Sequence, residues 1–423
     1  MPKPTLAIIG SGWAGYELSQ LASLSRYNVS VISPLRTIQY TPLLASAACG
    51  LFNFRLAEEP VRRKHRPGLQ YIRATADSID LTTRKISCTA VGLSGQGKPS
   101  AFEFPYDKIA IAPGCGIQTF GTPGAAEHAL FLKTTQDARA IQSRLLDMLD
   151  EASLPNTSEQ RRKDLLNVRI VGGGAIGIEA TAEIYDLWAE ELSKLYPHLA
   201  NDLTITIHDV APDILTTFDK RLGKYAHDSL LKRRGLSLKT QSHIEKVEAD
   251  AIYTKEDGRL PYGLLIWATG NSGNPLLDHL ACKKPAKGLP RILTDDYLRV
   301  LDPKGMPIPD AYALGDAADI EGQTMPTLAS VALQKSEYLA SVLNAADSSA
   351  AAVQPFRYKQ RAALAYLGKH DGVIGGREEW TGPAAWLAWR SGSLLWTRSW
   401  RRKVFILLNW IMNRIGGREI ARN

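Results

Sequence analysis

The sequence predicts an α/β protein with two strand–turn–helix units of one design, the second inserted into the first, and a helical C-terminal region. Two observations carry the core of that expectation. The β-branched run Thr5–Ile9 leads into Gly10-x-Gly12-x-x-Gly15 and a helical stretch, and Val168–Val171 leads into Gly172-x-Gly174-x-x-Gly177 and another. In such a loop the first glycine allows the tight turn, the second lets a pyrophosphate approach the backbone, and the third lets the helix lie on the strand. The diphosphate then meets the free amides and positive dipole end of the helix N-terminus. The third observation is the tail, where six of the nine tryptophans fall between Trp380 and Trp410 among basic residues.

In chain order, Thr5–Ile9 is a strand and Tyr16–Leu24 lies in the helix that it feeds. With so little chain ahead of that strand, no secretory signal or targeting presequence is expected. The next strand, Asn28–Ile32, ends in Ser33-Pro34, where a dinucleotide site usually places an acidic residue for the ribose; Ser33 can still exchange one hydrogen bond. Tyr40–Leu44 and the small-residue run Ala45–Gly50 follow, with Cys49 either a buried structural thiol or a peroxidatic or disulfide-forming one. Val61–Pro67 is a basic surface run able to steer an anionic nucleotide, and His65 within it is read as exposed. Gly92–Ser100 reads as a hairpin or loop, and Tyr106–Ala112 as a strand closing on Pro113-Gly114, where the chain leaves the first nucleotide fold.

A helix over Thr135–Met148 and the polar stretch Glu151–Asp164 precede the second glycine loop, whose helix covers Ile178–Tyr185. Leu203–Ile207 is the next strand of that fold, with Asp209 just past its end. A carboxylate there suits the two free ribose hydroxyls of NAD and repels a 2′-phosphate; the alternative is a cap for the following turn. Leu264–Gly270 is a strand at the exit from the inserted unit, Tyr312–Asp316 a short strand closing in Gly-Asp, Leu328–Asn344 a helix, and Ala345–Gln354 a soft linker. Two dinucleotide folds about 160 residues apart imply two dinucleotides bound at once, and hydride transfer between them is the economical chemical reason.

Composition narrows the remaining classes. A chain of 423 residues exceeds one core, and 44% hydrophobic with 22% charged residues is ordinary for a globular protein. The four cysteines lie far apart with no CxxC, which argues against a disulfide framework and a zinc site and for a reducing compartment. No apolar run is long enough to span a bilayer. The net charge of +8 is concentrated at one end: between Arg390 and Asn423 eight Arg/Lys face one Glu, which argues against nucleic acid as the partner. Val404, Leu407, Leu408, Ile411, Met412 and Ile415 recur at helical spacing beside Arg401-Arg402-Lys403, the pattern of a helix lying on anionic lipid; a dimer-interface or core-capping helix is the alternative.

GSGWAG at 10–15, GGGAIGIE at 172–179, ATG at 268–270 and GD at 315–316 resemble the FAD/NAD(P)H flavoprotein reductases. More narrowly, SPLRTIQYTPLL at 33–44, QKSEYLA at 334–340, PFRYKQRAALAYLG at 355–368 and SWRRKVFILLNWIMNRIGGREIAR at 399–422 resemble the eukaryotic type II (alternative) NADH dehydrogenases. The resemblance implies two Rossmann-like domains: an FAD domain over 1–133 and 285–345, interrupted by an NADH domain over 134–284, and a dimerisation and membrane-anchoring region over 346–423. It places Gly10, Gly12, Gly15 and Asp316 at FAD, and Gly172, Gly174 and Gly177 at the NADH diphosphate. Trp13, Ala14, Ser33, Thr41, Pro113, Gly114, Asp209 and Gly270 are further cofactor-binding positions. Glu179 is implied near the nicotinamide and quinone side of the flavin as a proton relay, which needs its pKa raised by burial.

Gln334 matches the second glutamine of the family's quinone-pocket motif; Ser330, Lys335 and Ser336 depart from that motif, and Ala317 replaces a thiol often found there. The implied activity is non-pumping NADH:quinone oxidoreduction with FAD and NADH, no metal, and a membrane quinone as acceptor. The implied setting is the surface of the mitochondrial inner membrane, as a homodimer; another membrane's cytoplasmic face or the cytosol is the alternative. Two rival activities stay open: a Cys49-dependent NADH oxidase or disulfide reductase, and an NADH-responsive flavoprotein of the apoptosis-inducing-factor kind.

Overall fold

The computed structural model describes residues 2–63, 65–92, 100–345, 354–376, 379–418 and 420. By compactness the chain falls into two units. The first comprises Met1–Ile38, Glu59–Gly116 and Asn271–Lys359; the second comprises Gln39–Glu58, Ile117–Gly270 and Gln360–Asn423. The boundaries expected from the sequence group the chain by ligand, whereas these group it by packing, and the two differ most at 39–58 and in the C-terminal region. Both of those segments pack with the inserted unit.

The first unit is built on a sheet whose parallel core runs Pro307–Ala313, Lys108–Ile111, Thr5–Ile9, Asn28–Ile32 and Leu69–Ile72, in that lateral order. Thr5–Ile9 and Asn28–Ile32 have the residue bounds read from sequence. Both are apolar because helices and a further small sheet cover them: Leu6, Ile8, Val29 and Val31 pack with Leu18 of the helix Trp13–Leu21 and with Leu339 and Leu343 of the helix Ala329–Asn344. Ala74–Asp80, Lys85–Ala90 and Ala101–Pro105 make an antiparallel sheet. The loop expected over Gly92–Ser100 lies largely outside the described residues, as does most of the linker 345–354.

The second unit repeats the plan. Leu236–Lys239, Thr204–His208, Asn167–Val171 and Leu264–Trp267 form a four-stranded parallel sheet. Asn167–Val171 lies between two neighbours as Thr5–Ile9 does, and the helix Ala175–Leu187 follows its glycine loop. The helix expected over Thr135–Met148 runs on to Ala152 and starts at a capping box, with Thr134 accepting from the Asp137 amide and Asp137 accepting from that of Thr134. The segment that includes Thr41 turns through a short 3-10 helix, Thr41–Leu43, into the helix Leu44–Ala48. The Ala and Ser side chains there let it pack closely on the helices Thr135–Ala152 and Ala175–Leu187.

The C-terminal region adds an antiparallel ribbon, Ala363–Gly368 with Asp371–Gly375, and two helices, Pro383–Trp396 and Trp400–Gly416. The last helix docks through polar contacts within its unit: Arg402 Nε donates to Glu58 O at 2.8 Å, and Asn413 Nδ2 to Leu51 O at 3.0 Å. Ile406 is fully buried, while Val404, Leu407, Leu408, Ile411, Met412 and Ile415 are 43–84% exposed. The apolar stripe read from sequence thus faces outward, and the core-capping alternative holds for Ile406 alone. Among the described residues no helix is long and apolar enough to cross a membrane. Ile406→Ala is therefore expected to cost about 2–4 kcal/mol of stability in chemical denaturation, and Ile411→Ser no more than about 0.5 kcal/mol.

Candidate active site

Both glycine loops are held by the same three contacts. Gly10 N donates to Ile32 O and Gly172 N to His208 O, each at 2.8 Å, so each loop is pinned to the end of the neighbouring strand. The first glycines take φ of +93° and +112°, and a Cβ there would stand 2.3 Å from Ala112 O or 2.6 Å from Ala268 O. At the third glycines, Gly15 and Gly177, a Cβ would lie 2.0 Å from the carbonyl oxygen of the first. Gly12 and Gly174 differ: they have φ of −73° and −75°, and nothing comes within 4 Å of an added Cβ. The fold requires the outer glycines, whereas the middle ones front open space at a helix N-terminus. That is a cradle shaped for a diphosphate, and it occurs once in each unit.

Around the first loop, Ser11 Oγ donates to Ser33 Oγ at 2.9 Å, and Ser33 is buried at the end of its strand. It borders a cavity of about 290 Å³ lined also by Arg36, Arg62, Arg73 and Tyr71. Gly315, with φ +74°, packs against Ala14 beside Trp13, and Asp316 follows in a 3-10 turn where its Oδ2 lies 3.5 Å from the Cys115 thiol. Pro113 O accepts from Asn274 Nδ2 at 3.3 Å, and Gly114 faces open space. The helix carrying the expected acceptor residues is more enclosed than its sequence suggested. Gln334 has both ends of its amide engaged by Lys359, Nε2 donating to its carbonyl at 3.1 Å and Oε1 accepting from its amide at 3.0 Å. Ser330 and Ser336 are buried, Ala317 is 2% exposed, and Lys335 Nζ donates to Ala318 O at 3.1 Å, with burial pulling its pKa down to about 8.

Around the second loop, Asp209 caps the turn that follows its strand and also braces the glycine loop. Its Oδ2 accepts from the Gly173 amide of the glycine loop, and its Oδ1 from Ala211 N at 2.8 Å in the turn beyond. Gly270 O accepts from Gln118 N at 2.9 Å, closing the exit of the inserted fold. Glu179, two residues past Gly177, is half-buried and its Oε1 accepts from Trp389 Nε1 at 2.8 Å. Burial pushes its pKa up to about 8, opposed by the hydrogen bonds from Trp389 and Tyr366 and reinforced by Glu183. Glu183 and Asp186 share that helix face and are themselves buried; Ser46 Oγ donates to Glu183 at 2.6 Å. Cys49 is 1% exposed and its thiol is pushed well up by burial and by Glu183, the reverse of what a thiolate nucleophile needs.

A profile described as "Pyridine nucleotide-disulphide oxidoreductase" matches residues 4–336. Over 98% of its length the chain is 34% identical to a probable NADH dehydrogenase of Dictyostelium discoideum, covering 90% of that protein. It is 33% identical to the mitochondrial internal alternative NAD(P)H-ubiquinone oxidoreductase A1 of Solanum tuberosum, over 99% of this chain and 88% of that one. The chain belongs to the alternative, or type II, NADH dehydrogenase family. NDH2 of Plasmodium falciparum, solved with NADH, matches 100% of both chains with a TM-score of 0.90 at 22% identity. The sulfide:quinone oxidoreductase of Aquifex aeolicus matches 99% of this chain and 98% of that one with a TM-score of 0.70 at 14% identity. These two likenesses are of fold: two Rossmann-like units, as the glycine loops led one to expect.

The structure brings the expected positions together in two groups. Gly10, Gly12, Trp13, Ala14, Gly15, Ser33, Pro113, Gly114, Asp316 and Gln334 belong to the first unit; Thr41, Gly172, Gly174, Gly177, Glu179, Asp209 and Gly270 belong to the second. Sequence reasoning missed the surroundings of Glu179: Glu183, Asp186, Tyr366 and Trp389. The signal was there, since three acidic residues spaced four and three apart share one face of an otherwise apolar helix. The glycine geometry gives a sharp expectation. Gly12→Ala and Gly174→Ala should leave thermal stability near that of the parent while lowering nucleotide affinity at one loop each, whereas Gly15→Ala and Gly177→Ala should cost at least about 2 kcal/mol of stability.

Proposed function

We infer that this protein is a FAD-dependent NADH:quinone oxidoreductase that passes hydride from NADH to FAD and two electrons onward to a membrane quinone without pumping protons. One observation carries this: a diphosphate cradle in each of two Rossmann-like units, in a chain matched along nearly its whole length by alternative NAD(P)H-ubiquinone oxidoreductases. FAD, when bound, supplies the two-electron centre; the chain's own residues hold, orient and manage protons. Gly10, Gly12, Gly15 and Asp316 hold FAD, with Ser33 and the arginines Arg36, Arg62 and Arg73 at its adenosine end. Trp13, Ala14, Thr41, Pro113 and Gly114 complete the cofactor positions of the proposal.

Gly172, Gly174 and Gly177 take the NADH diphosphate, Gly270 closes that site, and Asp209 favours NADH because a 2′-phosphate would meet its charge. With a pKa near 8, Glu179 holds a proton at neutral pH and can give it up, as a relay for quinone reduction requires. Gln334 shapes the acceptor side through the Lys359 backbone that it braces. Relatives named as mitochondrial support a mitochondrial setting, and we place the protein on the surface of the inner membrane as a homodimer, with the exposed stripe of the last helix against lipid.

The test of this reading is steady-state turnover of purified protein with NADH or NADPH and a short-chain quinone. Heat denaturation should release FAD, NADH should be preferred over NADPH, and Cys49→Ser should keep turnover within about twofold, since a thiol held protonated by burial is a poor nucleophile. Collapse of turnover on that substitution would favour the thiol mechanism, and slow turnover with a long-lived reduced flavin the sensor.

Membrane attachment is expected to be separable from hydride chemistry. Replacing Leu407, Leu408 and Ile411 with Ser should leave NADH reduction of bound FAD within about twofold of the parent, while binding to anionic liposomes and turnover with long-chain quinone fall together. Undiminished liposome binding by that variant would remove the tail from the membrane contact.

A further inference from the structure

Glu179 is held from the C-terminal region rather than from the nucleotide fold that carries it. Its Oε1 accepts the indole N–H of Trp389, in the helix Pro383–Trp396, at 2.8 Å, and the main-chain N–H of Tyr366, in the ribbon strand Ala363–Gly368, at a longer 3.4 Å. Trp389 is 6% exposed and its ring lies on that of Tyr366, with centroids 4.9 Å apart and planes inclined by 17°. Tyr366 is fixed at its far end too: its hydroxyl donates to Asp186 at 2.5 Å, and Asp186 also accepts from Lys369 N at 3.0 Å. Asp186 lies seven residues beyond Glu179, two turns along the same helix face, and Ala182 between them packs against Tyr366 and Trp389. The aromatic pair therefore spans the two carboxylates, and Trp389 cannot turn its N–H away without breaking a buried stack.

We propose that Trp389 is a positioning residue for the proton chemistry of Glu179: its indole N–H, locked by the Tyr366–Asp186 buttress, orients the carboxyl and sets its proton affinity. The inference rests on the reading of Glu179 as the proton relay. A donor fixed at one carboxylate oxygen stabilises the charged form and leaves the other oxygen to exchange the proton. Besides Trp389, only Glu183, which follows on its own helix, and the Tyr366 amide of the ribbon bear on Glu179. Around them, Lys369 N donates to Asp186, while Arg390, which shares the helix of Trp389, and Arg418, from the end of the tail and 3.9 Å from Glu183, act on Glu183. Ser46 and Cys49 approach Glu183 from the small-residue segment. Trp389 is distinguished among them by donating directly to the Glu179 carboxyl through a side chain that is never charged.

The experiment uses the full-length, FAD-loaded protein and three variants, with two readouts: the pH titration of the protonated-carboxyl infrared band of the resting protein, and the pH profile of kcat. Glu179→Gln identifies the band and the alkaline limb that belong to Glu179. Trp389→Phe keeps a stacked ring and deletes only the donor, so both midpoints should move up by about one pH unit, the size expected when a buried carboxylate loses one charge-assisted hydrogen bond. Tyr366→Phe loosens the buttress and should move them in the same direction by less, and it serves as the deciding variant if Trp389→Phe does not retain FAD. Unmoved midpoints in the aromatic variants, with the band and limb absent in Glu179→Gln, would overturn the role of Trp389 and leave the relay intact. A limb that survives Glu179→Gln would overturn the relay itself and this inference with it.

Discussion

One close approach organises the molecule: a helix leaving its strand so tightly that the third glycine of the loop touches the carbonyl of the first. At Gly15 and at Gly177 an added carbon would stand 2.0 Å from that oxygen. The contact fixes the angle at which the helix departs, and with it the direction of the free amides at the helix start. The open space in front of Gly12 and Gly174, beside the neighbouring strand ends that carry Ser33 and Asp209, goes with that angle. Repeating one steric constraint twice gives two binding sites of one kind, and a chain with two such sites is committed to chemistry between their occupants.

Much of this was legible because the signals are local. Thr5–Ile9 and Asn28–Ile32 fall on the residues read from sequence, since β-branched runs bounded by glycine or Ser-Pro admit little else. Helix ends were less legible: Thr135–Ala152 runs four residues past its reading, because Met148, Leu149 and Ala152 continue the buried face beyond where the charged residues suggested a stop. The grouping of 39–58 with the inserted unit was out of reach, because it depends on small residues at 45–48 meeting two helices distant in sequence. The same limit applies to Glu179. A family resemblance singled it out, but its hydrogen-bond donor lies 210 residues away and no local pattern names it.

The helix after the second glycine loop carries three carboxylates, two of them buried and that of Glu179 half-buried, and the unit answers them in different ways. Asp186 receives a phenol and the Lys369 main-chain N–H, Glu183 a serine hydroxyl and the nearby guanidinium of Arg418, and Glu179 an indole N–H. Neutral donors predominate, so the acids stay easily protonated, with desolvation first among the causes for each. The C-terminal region thereby has two faces with separate tasks. Its aromatic side completes the surroundings of a helix in the nucleotide fold, and its aliphatic side, on the last helix, is left exposed.

Lys335, on the helix Ala329–Asn344 of the first unit, sets a different balance. Its ammonium is 1% exposed and burial lowers its pKa from 10.5 to about 8, so between those values the unfolded chain binds a proton that the folded chain has released. Folding of that unit is consequently linked to proton release. The lysine costs stability most at neutral pH and below, by about 3 kcal/mol, and the cost disappears as the medium becomes alkaline. The contribution of this one residue to the first unit is therefore more favourable in basic than in neutral medium.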